Sequence, residues 1–178
     1  MISNGRAGSS PAPGTIFTCE YAFPSAIIRI SSLRIHTDIT SIKTIARPIL
    51  TIGTFDVVHL GHRVIIDRIN EIAKNEEGES VLLTFHPHPR SVVSSAGSIE
   101  LLSTMDERLA LLESAGLQHV IIHPFTHAFS RISALEYVRD LLVNTIGVHT
   151  AVVGYDHHFG RNREGDIKLL HELAELYQ

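Results

Sequence analysis

The stretch Ile49-Leu50-Thr51-Ile52-Gly53-Thr54-Phe55-Asp56-Val57-Val58-His59-Leu60-Gly61-His62 passes from an apolar run through a glycine turn to two histidines with a glycine between them. The short β-branched run reads as a buried strand. From His62 to Lys74 the period changes. Ile65, Ile69, Ile72 and Ala73 recur at helical spacing, which predicts an amphipathic helix. Strand, turn and helix in that order set two imidazoles beside a helix N-terminus. The free N–H groups and dipole of that terminus favour an anion, and a polyphosphate suits the place.

Working outward, three more apolar runs read as buried parallel strands: Val81–Phe85, His119–His123 and Thr150–Gly154. Ile27–His36 is a candidate edge strand. Helical patterns alternate with these runs. Asp106–Ser114 carries Leu109 and Leu112, with Thr104 and Glu107 spaced as a capping box and Gly116 as a stop. Ser133 and Glu136 repeat the box ahead of Tyr137, Leu141 and Leu142, and Asp166–Tyr177 carries Ile167, Leu170, Leu173 and Ala174. The alternation predicts an α/β fold, a parallel sheet with helices on both faces. Ligands of such sheets sit outside the carboxyl ends of the strands. The unusual loops, 53–62, 86–90, 124–130 and 154–166, all follow predicted strands, so they belong to one rim and one site.

With 178 residues the chain is long enough for one domain with a real core. A net charge of -4 argues against a nucleic-acid footprint. No apolar run reaches the roughly 18 residues of a membrane span. The single cysteine, Cys19, forms no internal disulfide and fits a reducing cytoplasm. Residues 1–25 hold Asn4-Gly5, Gly8-Ser9-Ser10-Pro11 and Pro13-Gly14 without the charged start and apolar stretch of a signal peptide. They read as a disordered leader ahead of a domain over 26–178.

Each loop suggests chemistry. In the first, His59 and His62 are placed to donate to phosphate oxygens, Gly53 to turn the backbone, and Gly61 to let a phosphate approach. A plain capped helix with surface histidines is the simpler alternative. In the second, Phe85-His86-Pro87-His88-Pro89-Arg90, two prolines stiffen the loop, Phe85 offers an aromatic face and Arg90 a bidentate phosphate partner. The twelve histidines raise the question of a metal, but there is no Cys/His quartet with zinc spacing, so no dedicated metal site is expected. In the third loop, Phe125 and Phe129 read as packing residues. In the fourth, Gly154 to Asp166, the glycines and paired arginines suit a ligand clamp. Asp156 stands where a ribose hydroxyl or metal-bound water is held, and Asp166 is either part of the site or the N-cap of the last helix.

Taken together, GTFDVVHLGHR (53–63), LLTFHPHPR (82–90) and VVGYDHHFGRNREGD (152–166) resemble, in that order, the FMN adenylyltransferase domain of bacterial bifunctional riboflavin kinase/FAD synthetases. The stretch 101–142 also follows that domain's pattern, and the resemblance covers 27–178. It implies a Rossmann-like nucleotidyltransferase fold and the reaction of FMN with ATP and Mg2+ to give FAD and pyrophosphate. A riboflavin kinase domain would lie in cis in the full-length parent. His59 and His62 would be catalytic. Gly53, Thr54, Phe55, Asp56 and Gly61 would serve ATP and its phosphates. Phe85, Pro87, His88, Pro89 and Arg90, with Gly154, Asp156, Phe159, Gly160, Arg163 and Gly165, would shape the flavin side.

Two departures stand out. The family usually has glycine after the Phe-Asp pair, where this chain has Val57. A positive φ there would strain a β-branched residue. The family's second phosphate signature, close to ISSTxIR, is not found before Gln178, so the chain is expected to be a fragment with weak or no turnover. Two alternatives compete, and a metal-binding protein built on the histidines is a third. A cytidylyltransferase of a small phosphorylated alcohol or sugar shares GTFDVVH but not TFHPHPR or GYDHHFGR. A non-catalytic flavin- or nucleotide-binding module is the other.

Overall fold

The computed structural model describes residues 33–37, 42, 45–93 and 101–177. The expected leader and the first part of the Ile27–His36 run lie outside them. Five strands form one wholly parallel sheet: β1 (Arg34–His36), β2 (Pro48–Ile52), β3 (Glu79–His86), β4 (His119–Pro124) and β5 (Thr150–Val152). Their order is β1-β4-β3-β2-β5. From β2 the chain steps outward to β3 and β4, then returns to lay β5 on the other side of β2. The strand order therefore reverses between β2 and β5, and their carboxyl ends open the crevice in which such sheets bind ligands.

Helices follow strands as the periodicity requires: α1 (Leu60–Asn75), α2 (Pro89–Val93), α3 (Met105–Ser114), α4 (Ala134–Glu136) and α5 (Ile167–Leu176). Because side chains alternate across a strand, the sheet has two apolar faces. Ile49, Leu82 and Val120 meet Ile66, Ile69 and Ala73 of α1 and Leu112 of α3 on one. Leu50, Ile52, Val81, Leu83 and Ile121 meet Tyr137, Val138, Leu141 and Leu142, with Leu170 and Leu173 of α5, on the other. Helices on both faces are thus as expected.

Local details agree with the chemistry of the residues. Both capping boxes form, Thr104 with Glu107 and Ser133 with Glu136. Gly116 takes φ +78, which suits its role as a stop. Asp166 resolves to a cap: its carboxylate accepts from the Leu169 N–H at 2.9 Å. One difference is the helix after α4. It runs over Tyr137–Ile146 with π-type bonding rather than as an α-helix. The wider turn keeps Tyr137, Leu141, Leu142 and Ile146 on the buried side.

Candidate functional site

The first loop is built around three rings. Phe55 lies 4.3 Å from His62, centroid to centroid, and His62 lies 3.7 Å from His59, all stacked. This explains two glycines by contact. A Cβ on Gly53 would meet the Phe55 ring at 2.7 Å, and one on Gly61 would meet His59 at 3.1 Å. Gly53 is needed for the ring beside it, since its φ lies outside the left-handed range. The left-handed residues are instead Phe55, φ 46, and Val57, φ 47. The position at which the resemblance led one to expect glycine takes positive φ, and a β-branched side chain occupies it.

Hydrogen bonds assign the protons of the two histidines. His59 caps α1, its Nδ1 accepting from the N–H groups of Gly61 at 3.1 Å and His62 at 3.4 Å. An accepting Nδ1 leaves the His59 proton on Nε2, free to donate. His62 is the reverse. Its Nδ1 is 3.2 Å from the Val57 carbonyl, which can only accept, so the proton sits on Nδ1. Burial pushes His62 below the ordinary histidine range, against the bond to Val57. Neutral His62 therefore presents a lone pair at Nε2 and donates there only as imidazolium. Of the two expected donors, His59 presents an Nε2–H as it stands, and His62 would donate from Nε2 only after gaining a proton.

Asp56, expected on the phosphate side, has both carboxylate oxygens committed elsewhere. They accept from the Leu102 N–H at 2.9 Å, the Ser103 N–H at 3.0 Å and the Ser103 hydroxyl at 2.7 Å. The Ser103 hydroxyl and the Leu102 N–H hold the carboxyl below its usual range, with a smaller contribution from Arg108. Arg108, only 3% exposed, reaches Asp56 at 3.4 Å. Its Nε has no hydrogen-bond partner among the described residues. Ser103 and Arg108 lie in the stretch 101–142 that follows the family pattern, but no feature of the sequence assigned either a role. Only the proximity of α3 to the first loop reveals them.

The second loop leaves β3 through a cis His86–Pro87 bond, and Pro89 opens α2 where a missing N–H is tolerated. His88 Nδ1 accepts from the Arg90 N–H at 3.2 Å. Burial lowers the His88 pKa, and the positive charges of Arg90 and Arg108 add to it. The Arg90 side chain is exposed. Phe85 joins the third loop: it packs against Phe125 at 5.6 Å and Phe129 at 5.7 Å, and His123 sits 4.5 Å from Phe129. Phe129 also packs on the core, as expected of a packing residue. His123 Nδ1 and Thr84 Oγ1 are buried without partners among the described residues.

The fourth loop folds onto itself. Phe159 and Gly165 exchange backbone hydrogen bonds of 3.1 and 2.9 Å. The Phe159 ring lies against Gly165, where a Cβ would meet it at 2.6 Å, and stacks on Tyr137 and His157. Gly160, φ +73, presses on Ala134. Glu164 accepts from the Ala134 N–H at 2.9 Å. These residues give the loop its shape. Tyr155, Asp156 and Arg163 stay exposed on its surface. Gly154 leaves room for the Asp156 carboxylate, whose Oδ1 would lie 3.0 Å from a Cβ. Thr54 lies half-buried at the start of the first loop.

The family model for FAD synthetase matches residues 41–178. Among curated proteins, the chain is 32% identical over 129 residues to the bifunctional riboflavin kinase/FMN adenylyltransferase of Escherichia coli K12, covering 72% of this chain and 41% of that protein. It is 29% identical over 128 residues to the protein of the same name from Buchnera aphidicola, with the same coverage of 72% and 41%. It is 32% identical over 143 residues to the FAD synthetase of Listeria monocytogenes, covering 80% and 57%. The chain thus spans about two fifths of the length of the first of these relatives. A crystal structure of a macrolide-efflux protein from Streptococcus pneumoniae superposes with a TM-score of 0.69 at 20% identity, covering 79% of this chain and 46% of that one. At that identity the likeness is one of fold.

Proposed function

The chain belongs to the FAD synthetase family, and we propose that it transfers the adenylyl group of ATP to FMN, giving FAD and pyrophosphate. The observation that carries this reading is the His59–His62 pair at the N-terminus of α1, beside the β2/β5 crevice. An oxygen of the FMN phosphate attacks the α-phosphorus, the bond to the bridging oxygen breaks, and pyrophosphate leaves with that electron pair. No protein nucleophile is needed, so catalysis is positioning and charge stabilisation. His59 donates through Nε2–H. His62, once protonated, adds a second donor and a positive charge.

Mg2+ enters this reading with the triphosphate. It keeps water and phosphate ligands and takes one or two carboxylates. Asp156 fits that donor set: it is exposed on the loop after β5, whereas Asp56 is engaged with Ser103. When bound, the ion neutralises charge on the phosphates. Half-buried Phe85, at the carboxyl end of β3, offers the flavin ring an aromatic surface, with Phe125 and Phe129 packed behind it. Exposed Arg90 and Arg163 are the cations available to phosphate on that side. The names of the bifunctional relatives pair this activity with riboflavin kinase, and we place FMN supply in such a module in cis, in the cytoplasm, without a nucleic-acid partner.

Pyrophosphate release with FMN, ATP and Mg2+, together with equilibrium binding of each substrate, tests the reading. CTP is the control nucleotide, and a His59→Ala/His62→Ala double variant is the control protein. Saturable binding of FMN and ATP is expected, with ATP binding and any turnover lost in the double variant. Binding of CTP in preference to ATP, with no flavin binding, would sink it.

A further inference from the structure

The Val57 carbonyl ties the two histidines together. It accepts from the His59 N–H at 2.6 Å and from His62 Nδ1–H at 3.2 Å. Yet Val57 is the residue least suited to where it stands, a β-branched side chain at φ 47. An L-residue in the left-handed region costs roughly 1–2 kcal/mol, and surroundings must over-determine it for it to persist. Ser103, Asp56 and Arg108 supply those surroundings. The Val57 N–H donates to Ser103 Oγ at 3.2 Å. The same hydroxyl donates to Asp56 Oδ1 at 2.7 Å, and Asp56 also holds the backbone of 102 and 103. Arg108 backs the carboxylate with a buried positive charge at 3.4 Å.

We propose that Asp56, Ser103 and Arg108 are a positioning unit, which pins Val57 in its left-handed conformation and so keeps its carbonyl on His62 and His59. The unit touches no substrate. It acts through a serine hydroxyl that accepts from Val57 and donates to Asp56, so each group has one direction available to it. With the unit intact, His62 has its proton on Nδ1 and its Nε2 toward the phosphates. Without it, Val57 relaxes to negative φ, the carbonyl swings away, and His62 loses the bond that selects its tautomer. The value of that orientation to catalysis rests on the adenylyl-transfer reading, whereas the orientation itself does not.

The test is spectroscopic. Two-bond 1H–15N correlation spectra on 15N-histidine protein report each ring's tautomer, with His62 assigned through His62→Gln. The wild-type chain is expected to show His62 as the Nδ1–H tautomer. Ser103→Ala and Asp56→Asn are each expected to move it to a mixture with Nε2–H and to weaken Mg-ATP binding on the order of tenfold. Adding Val57→Gly to Ser103→Ala is expected to restore both at least in part, since glycine adopts positive φ without strain and no longer has to be forced there. An unchanged His62 tautomer in both single variants overturns the proposal. So does a Val57→Gly addition that restores neither property, which would leave the unit with general stability only. If wild type binds neither FMN nor ATP, the adenylyl-transfer reading fails while the tautomer result still decides this one.

Discussion

Val57 concentrates the conflict between local preference and local need. Its φ of 47 is one that glycine adopts freely and valine does not. Replacing it with glycine removes a left-handed penalty of about 1–2 kcal/mol and adds about 0.5–1 kcal/mol of unfolded-state entropy. Val57→Gly is therefore expected to stabilise the chain by up to about 1.5 kcal/mol, read as a higher urea midpoint at unchanged slope. A lower midpoint would mean that valine's side-chain contacts outweigh its backbone strain. The sequence already pointed at this residue, because a glycine was expected there. It did not point at Ser103 or Arg108, which matter only because α3 packs against the first loop.

At the scale of elements, the fourth loop shows how a glycine pattern becomes a shape. Gly160 combines φ +73 with a would-be Cβ only 2.7 Å from the Ala134 backbone nitrogen. Gly160→Ala is expected to cost about 2–3 kcal/mol and to loosen 154–166, seen as faster amide exchange at the Phe159–Gly165 bridge. Exchange unchanged from wild type would show that the loop is held without this contact. From the sequence, the glycines and arginines of this loop were expected to form a clamp. That Phe159, Gly160 and Gly165 are occupied with the loop's own folding, leaving Asp156 and Arg163 outward, was not. Composition reports which residues a loop holds, and only its closure reports which of them are left at the surface.

Across the whole molecule, six of the twelve histidines, His36, His62, His88, His119, His123 and His157, are held below their ordinary value near 6.5 chiefly by burial. The unfolded chain then binds more protons than the folded one between the folded and unfolded values. Stability rises with pH where the unfolded state binds more protons. It is thus fully present above about pH 6.5 and is lost as pH falls below it. The urea midpoint is expected to drop between pH 7.5 and 5.5, ahead of the carboxylate range. A flat profile there would contradict the burial of these rings as neutral groups.

Strand and helix periods, the two capping boxes and the order of the three motifs were properties of the sequence alone. They follow from contacts between near neighbours, where spacing dictates geometry. The parallel sheet followed too, since strands alternating with helices have few other ways to bury both faces. Tertiary structure alone decided the rest: which imidazole nitrogen carries each proton, that Asp56 turns to Ser103, that the 137–146 helix widens, and that Phe159 closes its own loop. The Asp56–Ser103 contact joins residues 47 positions apart. The imidazole and Phe159–Gly165 contacts span at most six positions, yet they too require particular groups to meet at hydrogen-bond or van der Waals distance. No periodicity encodes that meeting; it exists only once the layers have packed.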